Sequence, residues 1–282
     1  MQAYWRIQVD SASLQSKHLY ARHKGDADDT AREGEKEKPI KGMRDALAKV
    51  FNEQRREIQN MLAGRKALPT DYNDILAALR GYAPDIADAI APFMEVQLVA
   101  GGAAGLASIE LPTDAFSVIN PMVRAFVDTY TVRLAGEINN YTAERLSETL
   151  GEGLEAGDSV SGLSARVGDL YDDFDGYRTE MIARTESARA YSAGSESAWK
   201  QSGVVEGKKW LLASAACPIC SAIARHFAGK VVPLDHPFYA LGESIPLSNG
   251  KTFLVDYAPI MGPPCHPSDR CSLTAVLMEG KE

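Results

Sequence analysis

The chain reads as mainly α with a small C-terminal α+β module, a helical domain followed by a short-stranded segment that carries every cysteine. Three observations predict this. Apolar residues recur at a helical period from about residue 43 to residue 201. After Gly203, short β-branched and aromatic runs alternate with Gly, Pro and Asn. Cys217, Cys220, Cys265 and Cys271 all fall in this last part.

The helical elements follow in order. Arg22 to Lys41 holds twelve charges of both signs in twenty positions, with Gly25, Gly34 and Pro39 among them, and is expected to be a flexible arm. Met43, Leu47, Val50, Phe51, Ile58, Met61 and Leu62 then predict an amphipathic helix closed by Gly64. Asp71 is placed to cap a second helix running through Leu79. Pro84 is tolerated in the first turn of a third across Ile86, Ile90, Phe93 and Val96, with Gly101-Gly102 weakening its end.

Asn120-Pro121 gives an N-cap with proline at the first helical position. The helix it opens carries Val123, Phe126, Val127, Tyr130, Leu134, Ile138 and Tyr141 on one face and is expected to stop at Gly151 and Gly153. Ser161 is read as the cap of a shorter helix with Leu163, Val167, Leu170, Tyr171 and Phe174 on its apolar stripe, and Asp175-Gly176 separates it from a last helix over 177–201. Strands are expected at 208–212, 230–232 and 252–255. The organisation is then an N-terminal arm over 1–41, a helical region over 42–110, a helical core over 111–202 and the α+β module over 203–282.

Bulk properties exclude several function classes. With 282 residues, a net charge of −8 and a pI near 5.3, there is no global positive field to hold a phosphate backbone, which leaves only local DNA contact. Met1 to Asp10 lacks the charged and apolar regions of a secretory signal, and the nearest apolar run, Val96 to Ile109, is short of the ~20 residues of a membrane span. A reducing compartment is therefore expected, in which clustered thiols point to metal rather than disulfides.

Cys217-Pro-Ile-Cys220 is a C-x2-C pair, a spacing that lets two thiolates of a tight turn reach one ion. The second half offers Cys265, His266 and Cys271. Tetrahedral zinc takes four ligands: Cys217, Cys220 and Cys271 supply three, and either Cys265 or His266 supplies the fourth. A module of roughly eighty residues with few large apolar side chains gains its stability from such a structural ion, which contributes on the order of 10–16 kcal/mol in small domains. A deaminase-type catalytic zinc does not fit, since the C-x2-C pair precedes His226 and His236 and neither begins a His-x-Glu step.

On the helix over 177–201, Glu180 precedes Arg184 by four residues and Arg189 lies about one further turn on, a stripe that either pairs internally or grips a partner. Asp172, Asp173 and Asp175 are read as capping carboxylates at a helix boundary. Neither a phosphate-binding glycine loop nor a nucleophile elbow is present.

Taken in order, Ile182-Ala-Arg-Thr-Glu-Ser-Ala-Arg-Ala, Cys217-Pro-Ile-Cys220 and Pro263-Pro-Cys-His-Pro-Ser-Asp-Arg-Cys-Ser-Leu resemble the phage Mu F-like family of head morphogenesis (minor head) proteins of tailed phages. The resemblance spans about Ala115 to Leu277. Its terminal motif departs from the family's in that Asp269 stands where a cysteine is usual and Cys265 where an apolar residue is usual, which favours the four-cysteine ligand set. The resemblance implies a non-enzymatic minor capsid protein, associated with the portal and with capsid or scaffold protein inside the procapsid, assembled in bacterial cytoplasm, assisting head assembly or DNA delivery. Arg184, Arg189 and the arm are its candidate partner surfaces. The family module also occurs fused to toxin domains, whereas here eleven residues follow Cys271 and no C-terminal effector is expected. The alternatives are a phage enzyme, a nuclease or an ADP-ribosyl transferase-like activity through Arg184 and Glu186, and a DNA-binding accessory protein.

Overall fold

A computed structural model describes residues 30–65, 72–116 and 121–278. They form seven α-helices and five short strands: α1 (Thr30–Ala63), α2 (Asn73–Arg80), α3 (Ala83–Ala107), α4 (Pro121–Glu155), α5 (Val160–Asp173), α6 (Thr179–Ser202), β1 (Val205–Leu211), α7 (Pro218–His226), β2 (Val232–Pro233), β3 (Ser244–Pro246), β4 (Thr252–Leu254) and β5 (Ser272–Leu277). The expected class, mainly helical with a small C-terminal sheet, is the observed one. The chain packs as two units. One comprises the described residues of 37–94 with 125–183, the other those of 1–36, 95–124 and 184–282.

Several boundaries differ from expectation, each for a physical reason. Most of the expected arm lies outside the described residues, but from Thr30 onward the chain is helical and runs without a break into α1. Glu, Lys and Arg are good helix formers, and Pro39 lies inside the helix. The residues proposed to cap α2 and α4, Asp71 and Asn120, lie outside the described residues; α2 follows Tyr72, which makes no side-chain cap.

In the unit of 37–94 and 125–183, Met43, Leu47, Phe51, Ile58 and Leu62 of α1 are buried, as are Ile75 and Leu79 of α2, Ile86, Ile90 and Met94 of α3, and Ile138, Leu146 and Leu150 of α4. Gly151 and Gly153 do not stop α4, which reaches Glu155. Gly153 instead leaves space for the Leu163 side chain of α5, and the helix ends where Gly157 takes φ +74 and the Asp158 N–H bonds back to the Gly153 carbonyl at 2.9 Å. Ser159, not Ser161, caps α5, its hydroxyl accepting the Gly162 N–H at 3.2 Å. Asp175-Gly176 is not a break either. A π-helical turn over Phe174–Arg178 carries α5 into α6, Asp175 accepts a hydrogen bond from Asn52 and Asp172 pairs with Arg55 at 2.5 Å, so these carboxylates bind side chains of α1 rather than cap.

That turn directs Arg178 into the core, where it is 4% exposed. Its guanidinium donates to the Thr142 hydroxyl and the Ile138 carbonyl, both at 2.9 Å, and lies against the rings of Phe51, Tyr141 and Phe174. Burial lowers its pKa to about 10, so it stays charged at neutral pH. Beside it Asn139 donates to the last carbonyls of α2, those of Leu79 and Arg80, and accepts from Gln54.

In the second unit, the end of α3 packs on α6 through glycines. The pair Gly101-Gly102 does not weaken the helix; it permits the approach. A Cβ on Gly101 would collide with the Tyr191 carbonyl, one on Gly194 with the Leu98 carbonyl, and one on Gly105 would sit 2.8 Å from the Ser195 Cα. The close backbones let Ser195 donate to the Gly101 carbonyl at 2.8 Å and the Trp199 indole to that of Gly105 at 3.0 Å. By length and composition the stretch Asn73–Ala107 would suffice to cross a membrane, more apolar than the sequence reading allowed. Ile86, Ile90, Met94 and Leu98, spaced at the helical period, are all buried, which is how a core helix behaves.

The sheet has the order β2-β1-β5, antiparallel throughout, with a separate β3-β4 hairpin. Strands β3 and β5 and helix α7 were absent from the sequence reading. The module's core is also richer than expected, with Phe227, Phe238, Trp210 and Tyr239 meeting edge to face and Cys217, Cys220 and Cys265 buried among them.

Gly101→Ala is expected to lower the thermal midpoint markedly, since overpacking costs roughly 1–3 kcal/mol. Gly136→Ala, where an added methyl meets nothing within 4 Å, is expected to be neutral or slightly stabilising. Paired melts of the two variants check this; equal midpoints would contradict it.

Candidate metal centre

Two stretches far apart in sequence meet because β1 and β5 pair. Their register sets Leu211 opposite Ser272, so the chain leaving β1 toward Cys217 and the chain entering β5 from Cys271 lie at the same end of the sheet. Cys217 is the N-cap of α7 and Pro218 its first residue. The C-x2-C pair therefore opens a helix and is not an isolated turn. The Cys217 sulfur accepts the Cys220 N–H at 3.4 Å, which sets it at the positive end of the helix.

The other half is the loop Pro263 to Cys271. His266 Nε2 lies 2.9 Å from the Cys217 sulfur and 3.3 Å from that of Cys220, and the Cys220 and Cys265 sulfurs are 3.8 Å apart. A tetrahedral ion with bonds of about 2.3 Å to sulfur separates two sulfurs by about 3.8 Å and a sulfur from a nitrogen by about 3.5 Å. The Cys220–Cys265 spacing already has that length, and seating an ion would widen the Cys217–His266 contact by about 0.6 Å. His266 Nδ1 lies 2.8 Å from the Pro267 carbonyl. Only an N–H can bond there, so Nδ1 donates, and Nε2 is the nitrogen left to face the sulfurs and to turn its lone pair to an ion once it gives up its proton.

Cys220, Cys265, His266 and Asp269 place their ligand atoms within 4.8 Å of one another, and this cluster can hold a metal ion. Cys217 joins it through His266, and Cys271 through a thiol contact with Cys220. Of the five sequence-predicted ligands, Cys220, Cys265 and His266 lie in that compact group, Cys217 and Cys271 adjoin it, and all four cysteines are free thiols. Asp269, which the sequence reading treated as a lost ligand, is the unexpected member. Its carboxylate accepts the N–H of Cys265 at 3.0 Å and that of Cys271 at 2.8 Å.

The electrostatics follow from this crowding. The hydrogen bond with the Cys220 thiol, helped by His266 and opposed by burial, brings Cys217 down to about 4. The same bonds to Cys217, Cys265 and Cys271 push Cys220 up. Burial works against a charged His266, but Cys217, Cys265 and Asp269 raise it overall. Burial likewise opposes ionisation of Asp269, yet His266 and the two backbone N–H groups hold it below the usual carboxylate range. The cluster thus stores negative charge on sulfur, the state that binds metal.

Helix α6 supports the loop. Thr185 is buried, and its hydroxyl accepts the Ser268 N–H at 3.1 Å, where Ser268 takes φ +57. Glu186 is 1% exposed and pairs with Arg189 at 3.2 Å. Arg184 and Arg189 are half-buried, so the proposed partner stripe is not an open surface. Glu180 also reaches Arg44, at 3.5 Å. A cavity of about 170 Å³ beside the loop is lined by Arg189, Glu196 and Cys265 among others, but not by Arg184 or Glu186. His226 stands apart from the cluster, against Phe227 and Tyr239.

No protein-family model, curated protein or solved structure matches this chain.

Proposed function

We propose that the chain is a minor capsid (head morphogenesis) protein of a tailed phage, that it associates with the portal and with capsid or scaffold protein inside the procapsid and assists head assembly or DNA delivery, and that its C-terminal module is stapled by structural zinc. The observation that carries this reading is the meeting of the three motifs on which the family resemblance rests. Thr185 of the helix motif holds Ser268 of the terminal motif, and His266 of the terminal motif touches both cysteines of the C-x2-C pair. Residues spread over about ninety positions act as one constellation, which supports reading them as one inherited module.

The donor set supports zinc among metals. Thiolates and an imidazole suit zinc, whereas calcium and magnesium require oxygen. Four N/S ligands leave no open position for a catalytic water, so the role is to fix the loop. Protein contact is then the function, with packaged DNA as a further neighbour in the virion. The enzymatic alternative needs Arg184 and Glu186 in a substrate-sized cleft, but Glu186 is engaged with Arg189.

Elemental analysis of protein purified without added metal is expected to give one zinc per chain, falling to near zero in a C217S/C220S double variant. A wild-type protein without zinc would overturn the staple. Parallel H266A and C265A variants identify the fourth ligand by which of them loses the ion.

Co-expression with the portal protein of the same phage is expected to yield a complex that co-sediments. A full-length chain that binds neither portal, capsid nor scaffold protein would overturn the assembly role. If the R184A/R189A variant still binds, the contact lies elsewhere.

A further inference from the structure

Six donor groups converge at the cluster, two more than a tetrahedral ion takes, so some of them serve another purpose. Asp269 is the one oxygen donor among them, and it is 6% exposed. Each of its oxygens already accepts a backbone N–H, one from Cys265 and one from Cys271. Those two bonds run to the two cysteines of the loop, at positions four residues before and two residues after the carboxylate. With Ser268 at φ +57 and its N–H held by Thr185, the backbone between them has little freedom left.

We infer that Asp269 is not a ligand but the positioning residue of the centre: its carboxylate clamps the N–H groups of Cys265 and Cys271 and so presents their sulfurs toward Cys220. This rests on the reading of the cluster as a metal centre. A carboxylate aimed at two amides turns the loop into a preformed claw, so the unbound loop does not have to be ordered when the ion arrives. It also accounts for an acidic residue in a thiol-rich site. A neutral apolar side chain could fill the space, but it has no oxygens to accept both amides at once.

The test is cobalt(II) titration of the full-length chain and of its Asp269→Asn and Asp269→Ala variants, read by the thiolate-to-cobalt charge-transfer band and the visible ligand-field bands, with circular dichroism as the check on folding. Asparagine keeps one acceptor oxygen; alanine keeps none. Asp269→Asn is expected to bind one cobalt per chain with the wild-type spectrum and an affinity between those of wild type and Asp269→Ala, which should lose roughly 10- to 100-fold. An Asp269→Asn protein that stays folded but shows shifted ligand-field bands, or binds as poorly as Asp269→Ala, makes Asp269 a ligand and overturns the inference alone. A wild-type chain that binds no cobalt overturns the metal centre and this inference together.

Discussion

Everything in the C-terminal module is organised around the contact of His266 with Cys217 and Cys220. The loop that carries His266 leads directly into β5, and the turn that carries Cys217 leads directly out of β1, so the pairing of those strands and the closure of the cluster are one event. Either alone would be weak. A six-residue strand paired at one edge gives a marginal sheet, and a thiol cluster without a scaffold has no fixed geometry. Together they fix the ends of a loop whose middle is held by Thr185 of α6. The aromatic group of Trp210, Phe227, Phe238 and Tyr239 shares one packed core with the buried sulfurs of Cys217, Cys220 and Cys265.

The helical part solves a different problem. Its helices are long, and two of its polar anchors lie inside the bundle rather than at the surface. Arg178 keeps its charge in the core because two carbonyl or hydroxyl oxygens and three aromatic faces replace water. Asn139 closes the end of α2, a helix too short to tolerate exposed terminal carbonyls in the interior. In the other unit, glycines at 101, 105 and 194 bring α3 and α6 so close that side chains bond directly to the backbone of the neighbouring helix. The same α6 then carries Thr185 to the cysteine loop.

Much of this was legible in the residues. The period of Met43 to Leu62 gave α1 its buried face, Pro121 marked the start of α4, and the cysteine and histidine spacings pointed to the part of the chain where the donor groups meet. What was missed has common causes. Glycine reads as a break, yet Gly101 and Gly153 are where another element comes close, which depends on a partner distant in sequence. Charge runs read as disorder, yet Thr30 to Lys41 is helical. The Cys-Pro step at 217 did signal a helix start, since proline favours the first helical position, and would have revealed α7. Asp269 could not be found this way: its role depends on two amides whose direction only the folded loop defines. Strand β3 is three residues long, and its pairing rather than its composition makes it a strand, whereas the Leu-Thr-Ala-Val-Leu run of β5 did carry a strand signal.

The central claim is that one ion in this cluster holds the loop to the helix and the sheet. Hydrogen exchange measured residue by residue, before and after a chelator removes the metal, tests it most directly. The account predicts that the amides of Cys220, Cys265, Ser268 and Cys271 exchange slowly in the loaded protein and much faster after chelation, while those of Ile138 and Thr142 in α4 keep their rates. Unchanged exchange at the four loop and helix amides would contradict it.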